Sequence, residues 1–431
     1  MKLKALDINK VLISLYIFFL PFTNVFIVNV GFPLKISEVV LFFLIFFRIV
    51  MPLETIQVNK NHRNILLVLL SFITIALLST IVNSFWQYDY KLNYFEDVRI
   101  SYGFDSFLKL FYLLLAVISF LFVKKYLALE GRYYVKIFLN GGICACIFCW
   151  YLFISTFLHY TPVFFNNSAE PAQTFFIPLI GEFYRSGTFK EGNHMGLFLL
   201  ICVFLSHQRK SKLVFLFAIT IITTFSTPAF IGCLAYFIIY YILDFLKQNA
   251  YFKLLLLGFF SLLLLAGIFS NEYVRAFTIN KLTETEEESD VVSKNDRLEL
   301  IQTGYEMGWR NPFLGVGLSN YSLHYNKFTH DYEGITNIKR IVNNVYLEVF
   351  SEMGFLSLAL FAFFLILIFL NTKGLKARIG FIIFLVYLNV YPSFTLFFLW
   401  FYFAALLCIS PKERLIPSKL NIGSDDDYSK Q

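Results

Sequence analysis

Apolar stretches close to the length of a membrane span recur along this whole chain of 431 residues, separated by short basic or polar segments. Residues 64–84 and 379–410 hold no charged side chain at all. A helix needs about 20 mostly apolar residues to cross hydrocarbon roughly 30 Å thick. Only helices and closed barrels can satisfy their own backbone groups there. A barrel would read as strands of alternating hydrophobicity, and no such segments occur. The pattern therefore predicts an all-α, polytopic membrane protein. Composition agrees, with 15% charged and 58% AVILMFWYC residues, against about 25% and 45–50% in soluble domains. Soluble enzymes, nucleic-acid-binding proteins and disordered chains are excluded on that ground.

Twelve spans are expected, at 11–30, 35–51, 64–84, 106–123, 135–158, 194–206, 212–226, 228–246, 254–269, 344–370, 379–394 and 396–410. Ser226-Thr227-Pro228 and Tyr391-Pro392-Ser393 interrupt two long apolar runs, because proline removes a backbone donor. Each of those pairs reads either as two spans or as one kinked span with a half-helix. With the N-terminus inside, 22 Lys and Arg fall in inner segments and six in short outer ones. Inner loops collect such positive charge, so both termini are expected in the cytoplasm. No cleavable signal is expected, since the first apolar run lacks a clear small-residue cleavage site. The chain then divides into spans one to nine (1–269), a large outer loop (270–343), spans ten to twelve (344–410) and a cytoplasmic tail (411–431). All six cysteines lie within apolar segments and imply no disulfide framework.

The loop over 270–343 carries 8 basic and 11 acidic residues and is the one soluble part large enough for a small subdomain. Ser293 to Asp296 has capping-box form, and Leu298, Ile301, Tyr305 and Trp309 then recur on one helix face. The spacing predicts an amphipathic helix of about four turns at the membrane surface. Arg297 stands at its start, with Gly308 eleven positions on. Either the arginine reaches lipid headgroups, or it joins backbone N–H groups in holding an anion. Arg185 stands in the same relation to Gly196, in a polar segment running through Asn193 and His194 into a span. Asn344, Glu348 and Glu352 are spaced i, i+4, i+8, and carboxylates at membrane depth are functional candidates by default. Glu348 reads as a paired structural charge or as a general base. His324 and His330 are the two histidines of the loop. No metal-ligand spacing and no Gly-x4-Gly-Lys phosphate loop appears, so neither metal nor cofactor is expected.

Four segments carry a resemblance. They are Arg-x-Gly-Thr-Phe…Asn-x-x-Gly (185–196), Thr-x-Ser (224–226), Asp-Arg…Asn-Pro-Phe-Leu-Gly-Val-Gly-x-x-Asn-Tyr (296–321) and Asn-x-Tyr-Leu-Glu…Glu-x-Gly-Phe (344–355). Their order, with one large outer loop between spans nine and ten, resembles the O-antigen ligase and polymerase superfamily. The resemblance implies a GT-C-like, multi-pass glycosyltransferase of the bacterial cytoplasmic (inner) membrane, with its active loops outside. It also implies a metal-independent, inverting reaction on a glycan carried by undecaprenyl diphosphate, with a flippase and a chain-length regulator as partners and no nucleic acid. By resemblance, Arg185 and Arg297 bind the pyrophosphate, and Asn193, Asn343 and Asn344 line a substrate groove. His330, His324 or Glu348 then supplies the base. Ligases of the superfamily place His-Asn before the Tyr-Leu helix, where this chain has Asn343-Asn344. The usual Ser-Arg of the turn between spans seven and eight is replaced by Thr227-Pro228. Both departures favour a polysaccharide polymerase over a ligase. A lipid-linked oligosaccharide transporter is the third reading, weakened by sparse intramembrane charge and by the lack of related halves.

Overall fold

The computed structural model describes residues 2–25, 27–29, 33–50, 60–85, 104–164, 173–177, 181–247, 288–329 and 340–409. The ninth expected span, the first part of the long loop, His330 and the C-terminal tail lie outside these residues. The described chain is mostly helical. Its helices are α1 (Lys2–Phe19), α2 (Ile36–Val50), α3 (Lys60–Phe85), α4 (Phe104–Leu158), α5 (Gly192–Gln208) and α6 (Leu213–Thr223). They continue as α7 (Thr227–Lys247), α8 (Glu288–Arg310), α9 (Tyr321–Phe328), α10 (Val345–Asn371), α11 (Leu375–Tyr387) and α12 (Phe397–Cys408). Two short antiparallel hairpins join them: β1 (Ile27–Asn29) with β2 (Pro33–Lys35), and β3 (Thr174–Ile177) with β4 (Gly181–Tyr184).

Among the described residues, four stretches are long and apolar enough to cross a membrane: Arg63–Ser84, Phe104–Leu158, Thr227–Lys247 and Val345–Asn371. Leu67 and Leu70 on α3, and Phe215 and Ile219 on α6, point outward with half or more of their surface exposed, as lipid-facing positions do. The second stretch is two helices. Glu130 leaves helical geometry at φ −134° and ψ 54°. Phe120 meets Trp400 at 6.0 Å, while Phe138 stacks on Phe401 at 4.1 Å. In a straight helix those two phenylalanines would stand roughly 27 Å apart, yet they touch neighbouring positions of α12. The chain folds back at Glu130, matching the expected spans 106–123 and 135–158.

The interior is organised around α5. Every residue from Leu197 to Leu205 has zero exposure, as expected of a helix that is apolar all round. Close packing is achieved through glycine: a Cβ on Gly196 would lie 2.8 Å from that of Ala229, and one on Gly380 would lie 2.9 Å from the Phe204 ring. At the first Pro break, α6 and α7 are separate helices joined through Thr224–Ser226. The 11 residues of α6 span about 16 Å, half the hydrocarbon thickness. At the second break, α11 passes through a short 3₁₀ turn, Leu388–Val390, before α12 begins.

The segment from α8 to the start of α10 has its own small core of Leu300, Met307, Val316, Tyr321, Tyr325 and Val342, against which Leu347 of α10 packs. Helix α8 realises the predicted amphipathic helix but starts five residues before Ser293. The stripe Leu298, Tyr305 and Trp309 is more than half exposed, so it faces away from the protein. That small core is built instead from the opposite face of the same helix.

Candidate functional site

The β3–β4 hairpin exists to deliver Arg185. Phe183 on β4 packs among the rings of Phe153, Phe157 and Phe225 at 5.1, 5.4 and 5.7 Å. Thr156 Oγ1 donates to the Glu182 carbonyl at 2.8 Å, and the Arg185 N–H donates to the Gln173 carbonyl at 3.0 Å. The guanidinium is half-buried. Its Nη2 lies 3.4 Å from Asn193 Oδ1, while its Nε is buried without a hydrogen-bond partner among the described residues. Gly192 makes this approach feasible, because a Cβ there would lie 2.4 Å from that Nε and 2.6 Å from the Thr224 carbonyl.

Asn193 is held from both sides. Ser226 Oγ donates to its Oδ1 at 3.0 Å, and the Tyr387 hydroxyl donates to its carbonyl at 2.9 Å. Next to it, the His194 ring meets Tyr391 edge-on at 4.9 Å, with the Glu191 carboxylate 3.8 Å from Nδ1. The Ser186 hydroxyl and the Tyr391 hydroxyl are also buried without a hydrogen-bond partner among the described residues. Three orphaned polar groups in one neighbourhood are uncommon, since most buried polar groups are paired.

Arg297 comes to the same place from a distant part of the sequence. Eleven residues along an α-helix return to within about 20° of the starting direction, so Arg297 and Gly308 share a side of α8. Gly308 lies against Phe350, where a Cβ would be 2.4 Å from the ring. Arg297 thus faces the protein body from three turns away, with its side chain exposed. Burial, and then the positive charge of Arg297, pull the Arg185 guanidinium below the usual arginine range. The two arginines therefore sit within each other's field, although like charges repel.

The turn after α8 fixes the helix that follows. Gly315 and Gly317 adopt φ of +63° and +95°. The N–H groups of Val316 and Gly317 donate to the carbonyls of Ser351 and Glu352, both at 2.9 Å. A side chain on Gly315 would put a Cβ 2.3 Å from the Glu352 carbonyl carbon. Gly354, at φ +79°, breaks α10 and frees the Phe355 N–H for the Pro312 carbonyl at 2.7 Å. Ser79 Oγ on α3 and Ser106 Oγ on α4 donate to Leu314 and Leu318 carbonyls, both at 2.6 Å. The Gly-Val-Gly turn is a clamp between α3, α4 and α10.

The clamp presents two carboxylates to one cation. Lys109 Nζ on α4 lies 2.7 Å from Glu348 Oε1 and 2.5 Å from Glu352 Oε2. Their side chains are 17%, 6% and 4% exposed respectively. Glu348 is therefore paired with Lys109, and with neither Arg185 nor Arg297. Tyr391 stands in the field of both Glu191 and Glu348, so the carboxylate cluster adjoins the arginine site across that ring.

The remaining candidates take different places. Asn344 caps α10, its Oδ1 accepting from the N–H groups of Tyr346 and Leu347 at 2.9 and 3.1 Å. Asn343 is half-buried just before it. His324 is buried on α9 and lines a cleft between α8 and α9. Burial, with the Lys327 charge nearby, pushes its imidazole down to about 4, so it is neutral at physiological pH. His330 is not among the described residues. Lys109, Tyr387 and Gln173 carry no such sequence signal, and Ser226 enters from sequence only as the serine of the Thr-x-Ser motif; the Gln173 Oε1 accepts from the Gly192 N–H at 3.0 Å.

Residues 195–362 match the family model described as O-antigen ligase (Wzy_C). That stretch holds Arg297, the Gly-Val-Gly turn and the Glu348–Glu352 face, while Arg185 and Asn193 lie just before it. The match is consistent with the O-antigen ligase and polymerase superfamily, and the apolar helices mark an integral membrane protein. No curated protein matches the chain.

Proposed function

We propose that the chain is a polysaccharide polymerase of the bacterial cytoplasmic membrane, transferring a glycan from undecaprenyl diphosphate to a sugar hydroxyl of another lipid-linked repeat unit at the outer face. One observation carries this reading: Arg185 lies in the field of Arg297, with a buried Nε that has no hydrogen-bond partner among the described residues. Two guanidiniums held together against repulsion are stabilised by an anion between them, and arginine suits diphosphate oxygens by its fork of donors.

In the reaction, the bond from the anomeric carbon to the diphosphate oxygen breaks and its electron pair stays on the diphosphate. Arg185 and Arg297 offset that charge as it develops. The acceptor hydroxyl oxygen forms the new bond from the opposite face, giving inversion. Its proton passes to Glu348. The Lys109–Glu348–Glu352 cluster carries one net negative charge, so gaining one proton makes the buried cluster neutral, and burial disfavours net charge.

The alternative is an O-antigen ligase, which the description of the matched family supports. A gel of extracted lipopolysaccharide separates the two. Deleting the polymerase should leave a single repeat on the lipid A core. Bare core with free lipid-linked polymer would instead establish the ligase.

A further inference from the structure

An acceptor sugar has to sit between a diphosphate held at Arg185 and the Glu348 carboxylate. The side chains that join those two places can be followed one by one. Asn193 Oδ1 lies 3.4 Å from Arg185 Nη2. His194 comes next, and its ring meets Tyr391 edge-on at 4.9 Å. Tyr391 stands in the field of Glu348. Phe394, three residues on, turns its N–H toward that carboxylate and its ring toward Lys109 Nζ, 5.8 Å away. Of the three linking side chains, Asn193 is already bonded to Arg185 and Ser226, and the Tyr391 hydroxyl is buried. His194 is the open one. Its side chain is 14% exposed, and its ring makes no hydrogen bond among the described residues. We propose that His194 binds the acceptor sugar, taking a hydrogen bond from a hydroxyl other than the one that reacts and so selecting which hydroxyl faces Glu348. This rests on reading the protein as a glycan-transferring enzyme.

The chemistry of the ring fits that task. An imidazole is mostly neutral at physiological pH, with one nitrogen donating and the other accepting. The Glu191 carboxylate, 3.8 Å from Nδ1, draws the ring proton to that nitrogen and leaves Nε2 with an open lone pair. A sugar hydroxyl can donate to it. The ring is also held in place. Glu191 is the residue directly before α5, and the Gly192 N–H donates to Gln173 Oε1 at 3.0 Å. The Asn193 carbonyl accepts from the Tyr387 hydroxyl at 2.9 Å. His194 therefore stands on a helix start braced from two sides.

An anion is the poorer occupant. Lys35 and Lys190 lie in the field of the ring, but both are engaged, Lys35 with Glu38 at 3.0 Å. Glu191 would repel a second negative charge beside it. A neutral hydroxyl needs no spare cation.

The test needs an acceptor that cannot act as donor. Cells lacking the gene supply single lipid-linked repeats as donor. The same repeat, released and capped as its octyl glycoside, carries no diphosphate and serves as acceptor for the full-length protein in nanodiscs. His194→Ala should raise the KM for the capped repeat about tenfold, the worth of one lost hydrogen bond. Its kcat and its affinity for farnesyl diphosphate should stay near wild type. His194→Gln should recover most of the loss, because its amide reaches to where Nε2 stands, and His194→Asn should not. An unchanged KM in His194→Ala, or a Gln variant no better than Ala, overturns the proposal. A fall confined to kcat also overturns it, making the imidazole a base, and so does lost farnesyl diphosphate affinity, which assigns the ring to the donor. Normal transfer by Arg185→Ala overturns the diphosphate reading and leaves the KM comparison standing, so the two fail separately.

Discussion

Arg185→Ala is expected to slow glycan transfer by the purified enzyme about 10²–10³-fold, the usual cost of removing one donor that stabilises developing charge. Arg297→Ala should do the same. The two effects are expected to resemble each other despite unlike settings, one side chain half-buried behind Asn193 and the other exposed on α8. Both act on one leaving group, so both substitutions should lower kcat more than they raise KM. In cells, either variant should reduce long chains to single repeats at unchanged protein abundance. Normal chain lengths in both variants would count against the assignment. Arg185→Lys should recover little activity, because an ammonium lacks the guanidinium fork.

The second large effect concerns Lys109. Lys109→Met leaves two carboxylates one helical turn apart, buried and without their cation. Removing one partner of a buried ion pair typically costs about 3–5 kcal/mol, so the variant should melt well below the wild type. Adding Glu352→Gln deletes one of the stranded charges and should restore part of that loss. Glu348→Gln alone should melt near the wild type, since Lys109 keeps Glu352, and should lose transfer. Separating stability from activity in this way distinguishes a base from a structural pair. A Lys109→Met protein as stable as the wild type would show that the cluster is not held as described.

How much of this was legible in the sequence depended on whether the signal was local. The hairpin of α4 could be read because two apolar runs flank the basic segment from Lys124 to Lys136. The surface helix could be read because Leu298, Ile301, Tyr305 and Trp309 repeat at helical spacing. Gly315 and Gly317 announced a turn, although not that it clamps the carbonyl of Glu352. Asn344 carried a visible helix-start signal, an asparagine directly before an apolar helix, yet its place in a resembling motif drew attention to substrate instead.

Lys109 was different in kind. By the charge rule it is one more outer-loop cation, and its partner Glu352 lies 243 positions away. Nothing local links them. The same holds for Tyr387 reaching the Asn193 carbonyl across 194 residues. The resemblance and a repeated spacing to glycine point to Arg185 and Arg297 together, and Arg185 lies in the field of Arg297. In the structure both glycines are points of close helix approach, Gly196 on Ala229 and Gly308 on Phe350. That gives the repeated spacing a physical sense: each arginine is carried by a segment that is itself packed tightly in place.

Whether the two guanidiniums grip one diphosphate is best measured by calorimetric titration of farnesyl diphosphate into nanodisc-embedded wild type, Arg185→Ala and Arg297→Ala. The account predicts at least a tenfold loss of affinity in each variant, and weaker binding of farnesyl monophosphate to the wild type. Wild-type affinity in both variants, or a loss confined to one of them, would contradict it.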